Sequence, residues 1–207
     1  GSEMCIRDRS RNADKAKYQA VRERTVDAFI EQTVATPQGL EFDIASVLHS
    51  LYKDQFVCVS LKNNTWYEYR DHRWHECDSG NTLKLLMSKE MYQLYVQKTV
   101  DAVAKCDLSE RADEAHAQNS KVASRLAAIA QHCKQTSWKN NIMKEAQCLF
   151  YDPKFLDRLD QNPYLLAFDN LVVDFKQKCC RRGQPDDYIS KSTNISYIEN
   201  PDDPRHA

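Results

Sequence analysis

The sequence predicts an α+β fold: a helical bundle with a small antiparallel β-meander and a C-terminal β-hairpin. Residues 56–77 alternate with a period of two, the segments around them follow a helical period, and two short apolar runs lie near the end of the chain. Strands and helices thus occur in separate blocks rather than alternating one by one. Such segregation is typical of α+β domains and not of parallel α/β sheets.

Three strands are predicted in the first period-two region. They are Phe56–Ser60, Thr65–Arg70 and Arg73–Cys77, and polar residues separate each strand from the next. Five aromatic residues lie here: Phe56, Trp66, Tyr67, Tyr69 and Trp74. Because aromatic side chains pack well on a pleated surface, they favour strands. The short turns predict an antiparallel meander.

Helices are predicted where apolar residues recur at intervals of three and four. The segments run from Asp14 to Thr33, from an N-cap at Asp43 to Tyr52, from Asn81 or Thr82 to Lys105, from Asn119 to Gln135 and from Trp138 to Phe150. Thr136 and Ser137 are interpreted as an interruption. We predict an N-terminal extension with a leader helix (1–40), a main domain (41–198) and a terminal linker (199–207).

The predicted C-terminal hairpin pairs two apolar runs, 165–168 and 171–175. Asp169-Asn170 between them predicts a tight turn, because Asp and Asn tolerate the positive φ that such turns require. A basic run, 176–182, follows, then a turn at Gly183-Gln184-Pro185 and a short strand at Tyr188–Ser190.

Composition limits the functions that the chain can have. Four glycines in 207 residues leave no phosphate-binding loop, so we expect these residues not to hydrolyse ATP. No run of about eighteen apolar residues occurs, so we expect no membrane-spanning segment. The eight cysteines are scattered and no secretory signal precedes them, which predicts reduced thiols inside a cell. A net charge of −1 predicts that any DNA contact is local.

Candidate catalytic and metal-binding groups are weak. A zinc site could combine His72, His75 and Cys77 with Cys179 or Cys180, but no CxxC anchors the set. His132-Cys133 could be half of a nucleophile pair, yet Cys133 lies on the apolar face of its helix. Glu76 with Asp78, or Asp186 with Asp187, could bind catalytic metals. Packing and surface roles explain these residues better, so we predict no catalytic and no metal-binding residue.

Two stretches could contact nucleic acid, because mobile cations bind phosphates and an aromatic ring can stack on an unpaired base. The candidate residues are Lys134, Trp138, Lys139 and Lys144 in the helical region, and Lys176, Lys178, Arg181 and Arg182 at the hairpin end. The alternative is that the charges form a solvated face and that Trp138 belongs to the core.

Two segments carry a family resemblance. The first is W-Y-x-Y-x-x-x-R-W, from Trp66 to Trp74. The second is F-x-N-x-V-x-D-F, from Phe168 to Phe175, followed by G-x-P-x-D-Y-I-S-x-S-T from Gly183 and by Tyr197. Both resemble the domain that precedes the superfamily-three helicase in helicase-primases of poxviruses and other nucleocytoplasmic large DNA viruses. Related phage and plasmid primase-helicases carry it too. The family usually has Asn-Gly at the hairpin, whereas Leu171 follows Asn170 here.

The resemblance implies a non-catalytic domain that joins primase to helicase and assists helicase assembly or single-stranded DNA guidance. It implies no cofactor in this segment, with ATP and magnesium expected for the helicase that would follow residue 207. The implied partners are single-stranded or forked DNA, the adjacent primase and helicase domains, and further copies in a ring, at a viral replication site in the host cytoplasm or nucleus. Two alternatives remain open: a small metal-dependent nuclease or primase fragment, and a protein-interaction domain without DNA contact.

Overall fold

The computed structural model describes residues 2–35, 41–107 and 114–198 of the chain. It divides into two compact units, one formed by Gly1–Tyr52 and Thr82–Leu149 and the other by Lys53–Asn81 and Phe150–Ala207. The first is helical and the second carries two small antiparallel sheets, so the predicted α+β class is confirmed. No helix in the described part of the chain is both long and apolar enough to cross a bilayer. The predicted boundary near residue 40 and the predicted linker 199–207 lie outside the described residues.

The helical unit contains six α-helices among its described residues. They are α1 (Ser2–Ala35), α2 (Glu41–Tyr52), α3 (Asn81–Leu86), α4 (Tyr92–Asp107), α5 (Glu114–His132) and α6 (Thr136–Leu149). Helix α1 packs on α2, α2 on α6, and α4 on α5. Asp43 lies in the first turn of α2 rather than at its N-cap, where an acid still complements the helix dipole. Thr136 begins α6 instead of interrupting a helix, because short hydroxyl side chains suit helix starts.

A π-helical turn, Met87–Met91, joins α3 to α4. Four residues spaced by four, Leu83, Met87, Met91 and Tyr95, are completely buried. An α-helix has 3.6 residues per turn, so residues spaced by four drift steadily around it. The wider π turn reduces this drift and keeps the four side chains directed to one core. The helix predicted over 81–105 is therefore real but not uniformly α.

Hydrogen bonds connect the helices of this unit across its interior. The Tyr95 hydroxyl donates to Thr33 Oγ1 at 3.3 Å, and the Tyr52 hydroxyl donates to Glu90 Oε2 at 2.9 Å. Ser88 Oγ donates to the Cys133 carbonyl oxygen at 3.1 Å. Such partners offset the cost of burying polar groups, so they fix how the helices pack.

The first sheet consists of β1 (Phe56–Ser60), β2 (Thr65–Arg70) and β3 (Arg73–Asp78), as predicted to within one residue. Both of its faces are covered. Phe56, Cys58 and Trp66 are buried on one face, where the Trp66 ring lies 5.5 Å from that of Phe150. Val57 and Trp74 are buried on the other face against Phe155, which begins helix α7 (Phe155–Arg158).

The second sheet is a three-stranded meander, not the predicted two-stranded hairpin. Its strands are β4 (Leu165–Ala167), β5 (Val172–Asp174) and β6 (Cys179–Arg181). The β4–β5 loop spans residues 168–171 and is closed by a 2.8 Å hydrogen bond from the Phe168 amide to the Leu171 carbonyl. Among the described non-glycine residues with positive φ, neither Asn170 nor Leu171 occurs. A positive φ would strain a leucine, and this loop does not require one at Leu171. The Asn170 side chain makes hydrogen bonds to the Tyr197 backbone.

The segment after β6 packs onto the first sheet. Trp74 donates from its indole nitrogen to the Pro185 carbonyl at 2.9 Å and from its amide to the Ile189 carbonyl at 2.7 Å. Pro185–Asp187 forms a 3₁₀ turn, and the strand predicted at 188–190 is absent from this described segment. A Cβ on Gly183 would lie 2.8 Å from the His72 carbonyl oxygen, so glycine is required by close backbone approach.

Candidate nucleic-acid interface

The four predicted residues of the helical unit differ in their exposure and in their contacts. Lys139 is half-buried and its Nζ donates to Ser88 Oγ at 2.7 Å, whereas Lys144, five positions later on α6, is exposed. The Lys134 ammonium lies 3.7 Å from the centre of the Tyr92 ring. Trp138 is half-buried, with its ring 5.9 Å from that of His132. Lys134, Trp138 and Lys139 thus have contacts within the helical unit, and DNA binding by these four residues stays a prediction.

Three of the four predicted residues of the sheet unit are exposed. Lys176 and Lys178 lie in the four-residue turn between β5 and β6, and Arg182 follows the far end of β6. Because β6 has three residues, the turn and Arg182 lie roughly 10 Å apart along the sheet. The second sheet thus carries cations at both ends.

The fourth residue, Arg181, lies on the face of the second sheet that carries the buried Val172, and it forms ion pairs with two carboxylates. Its guanidinium donates to both oxygens of Asp187 at 2.7 Å and to Asp174 Oδ2 at 3.4 Å. Its side chain is only 18% exposed. The Gln177 amide and the Arg181 guanidinium hold the pKa of Asp174 below its ordinary value, and Asp187 is the main cause of the raised pKa of Arg181. Arg181 is therefore an ion-pair residue of the fold, and its role in DNA contact stays a prediction.

The second sheet has an apolar outer face that was not predicted from the sequence. Tyr164, Leu166 and Phe175 are 53%, 40% and 55% exposed, and Cys180 is exposed beside them. The inner face buries Ala167 and Val172 against Ile189. Successive side chains of a strand point to opposite faces, which groups 164 with 166 and 173 with 175, but apolar residues on both faces hide which face is exposed.

The candidate catalytic groups take structural positions. Cys133 is fully buried, and burial raises the pKa of its thiol to about 12, which makes it a poor nucleophile. His75 Nε2 is buried and has no hydrogen-bond partner among the described residues, and burial together with Arg70 and Arg73 lowers the pKa of His75. Within the described residues, no three His, Cys, Asp or Glu side chains lie close enough to hold a metal ion. The absence of metal and catalytic residues stays a prediction.

Comparison with known proteins identifies the family. The family model described as D5 N terminal like matches residues 45–206. The chain is 33% identical over 186 residues to "Putative helicase L207/L206" of Acanthamoeba polyphaga mimivirus, and this match covers 90% of this chain and 19% of that protein. It is 27% identical over 197 residues to "Putative helicase 022R" of Frog virus 3 (isolate Goorha), which covers 82% of this chain and 20% of that protein.

The chain spans about a fifth of the length of these two viral relatives. A shorter stretch of 59 residues is 46% identical to "Putative helicase 121R" of Invertebrate iridescent virus 3 and covers 28% of this chain and 6% of that protein. The resemblance inferred from the two sequence motifs is thereby confirmed. Since the family model covers most of its residues, the chain belongs to the D5 N terminal like family, the N-terminal domain of viral D5-type helicase-primases.

Proposed function

We propose that the chain is a non-catalytic module of a viral-type replicative DNA helicase-primase, where it joins the primase to the helicase, assists helicase assembly and guides single-stranded DNA. The observation that carries this proposal is the family match over residues 45–206, among relatives that are named as helicases and are about five times as long. A segment of such a protein that has no ATP-binding motif would hold neighbouring domains and DNA in place rather than catalyse a reaction.

ATP and magnesium would be bound in other parts of the longer protein. The chain has four glycines and no Gly-rich loop with a Lys-Ser or Lys-Thr pair, so its backbone offers no cradle for a triphosphate. We propose that this module positions the motor on its substrate while the motor hydrolyses ATP.

Lys176, Lys178 and Arg182 support the DNA-guiding part of the proposal. All three are exposed and lie on one small sheet, so their charges can reach successive phosphates. The net charge of −1 predicts that a single copy binds weakly. Several copies around a ring would raise the effective concentration of such sites and give useful affinity.

A salt-dependent titration with a fluorescent thymine oligonucleotide tests the DNA contact. Each phosphate contact on a single strand contributes about 0.7 to the slope of log K against log salt, so we expect affinity to fall steeply with salt. Reversing Lys176, Lys178 and Arg182 to Glu should weaken binding and flatten the slope. The matched control reverses Lys62, Arg70 and Lys154, three exposed cations elsewhere in the same unit, and should leave the slope nearly unchanged.

Two outcomes would contradict the proposal. One is the absence of oligonucleotide binding even at low salt, which would remove DNA guidance. The other is magnesium-dependent nuclease or primer-synthesis activity that Glu76→Gln or Asp186→Asn abolishes, which would make the chain an enzyme. Both acids are exposed, so neither substitution should disturb folding.

A further inference from the structure

The outer face of the second sheet is an apolar surface. Its members are Tyr164, Leu166, Val173, Phe175 and Cys180, which we name the platform. Strand register places them together, because Leu166 pairs with Val173 and Val173 with Cys180. The Phe175 amide donates to the Tyr164 carbonyl at 2.9 Å, which extends the same register by one pair and makes the two residues neighbours on one face of the sheet.

The platform is not needed for the core of its own sheet. Ala167, Val172 and Ile189 are the buried cluster, and all three lie on the inner side. Two large aromatic rings that remain more than half exposed gain little from folding. Their exposure therefore favours a role in binding.

The charge around the platform is positive, which is complementary to a polyanion such as nucleic acid. Lys176 directly follows Phe175, Lys178 lies in the same turn, and Arg182 lies beyond Cys180 at the other end. The acid nearest in the strands, Asp174, points to the inner face and pairs with Arg181. Exposed rings that are flanked by cations are the arrangement that binds single-stranded nucleic acid, since bases stack on the rings while cations contact phosphates.

We propose that the platform binds the unpaired bases of single-stranded DNA, with Tyr164 and Phe175 as stacking residues and Lys176, Lys178 and Arg182 as phosphate contacts. This deepens the proposed function and rests on it, because it assigns a base-binding site to the DNA-guiding module. Stacking on aromatic rings tolerates any base, so the site would have little sequence preference.

The test compares a thymine oligonucleotide with an abasic oligonucleotide of the same length. The two share the phosphate backbone, and only the first can stack. The unaltered chain should prefer the thymine strand by roughly ten-fold or more. Changing Tyr164 and Phe175 together to Ala should abolish the preference while leaving the salt slope intact. Changing both to Leu should do the same, because Leu keeps an apolar surface but has no ring. Tyr151→Ala, which removes another exposed aromatic ring of the same unit, should not alter the preference.

The outcomes separate this inference from the proposed function. Two results would contradict base stacking on the platform and leave the phosphate contacts in place. One is salt-dependent binding without a preference for the thymine strand, and the other is a preference that survives both double variants. Absence of binding to either strand would overturn the DNA-guiding function itself. A change in self-association alone, measured by sedimentation of the Ala double variant, would identify a protein contact and would also overturn the inference. Urea unfolding of each variant checks that the fold is intact.

Discussion

The two sheets share one connectivity but differ in how their faces are used. Each is an antiparallel three-stranded meander with its strands in chain order. The first sheet buries residues on both faces, with Trp66 on one and Trp74 on the other. The second sheet buries only its inner face and leaves Tyr164, Leu166 and Phe175 in solvent.

This difference indicates that the two sheets have different roles within the unit. A sheet that is covered on both sides is held by its core and offers no exposed apolar face to a ligand. A sheet with one free apolar face can present side chains without losing its own packing. We therefore expect changes in the first sheet to affect stability and changes on the platform to affect binding.

Trp74→Ala is expected to have the largest effect on stability. The Trp74 ring lies 4.9 Å from the Phe155 ring and 5.3 Å from the Tyr69 ring, and the side chain is 5% exposed. Losing a buried tryptophan costs about 3–5 kcal/mol. Leu166→Ala on the platform should cost only about 0.5 kcal/mol. Urea unfolding of both variants measures the contrast, and equal losses would show that the platform is core.

Arg181→Met should destabilise the chain more than Arg182→Met, although the residues are neighbours. Removing Arg181 leaves Asp174 and Asp187 without their cation, and loss of one partner of a partly buried, hydrogen-bonded pair costs about 1–3 kcal/mol. Arg182 is exposed, so its loss should change stability by less than about 0.5 kcal/mol. In the DNA titration the order should be reversed, because Arg182→Met should lose more affinity for the oligonucleotide than Arg181→Met. Equal unfolding midpoints would remove the structural role assigned to Arg181.

A smaller, pH-dependent effect is expected at His75. Burial and the nearby Arg70 and Arg73 lower its pKa in the folded chain below the ordinary value of about 6.5. The folded state then binds fewer protons than the unfolded state, so stability is full above the unfolded pKa and falls as pH drops through it toward the folded pKa. His75→Gln should reduce the loss of unfolding free energy between pH 7.5 and pH 5, as measured by urea unfolding at the two pH values. An unchanged pH dependence in the His75 variant would contradict this account.

The first sheet and most helices could be predicted from sequence because their periodicity is strong. The three strands of residues 56–78 alternate clearly and carry aromatic residues that favour strands. Strand β6 could not be found in this way, since Cys179–Arg181 is three residues long and follows a run of charge without apolar alternation. It is stabilised by pairing with β5 rather than by its own pattern.

The candidate site was only partly predictable for a related reason. The sequence shows that Arg181 is basic, but its partners Asp174 and Asp187 come together with it only through the fold. Likewise Lys139 and Lys144 are both lysines on α6, yet only the helix position shows that one is directed inward and the other outward. The platform was missed because β4 and β5 are apolar on both faces, so apolar content alone does not identify the exposed one.

Ultraviolet crosslinking of the 207-residue chain to a thymine oligonucleotide, followed by peptide mass spectrometry, tests the central claim most directly. Stacked aromatic rings and bases lie in contact, so irradiation should join thymine to the residues that bind it. The account predicts adducts on the peptides that contain Tyr164 and Phe175, with none at Trp66 or Trp74 in the covered first sheet. Adducts confined to the first sheet, or to the Lys134–Lys144 region of the helical unit, would contradict it.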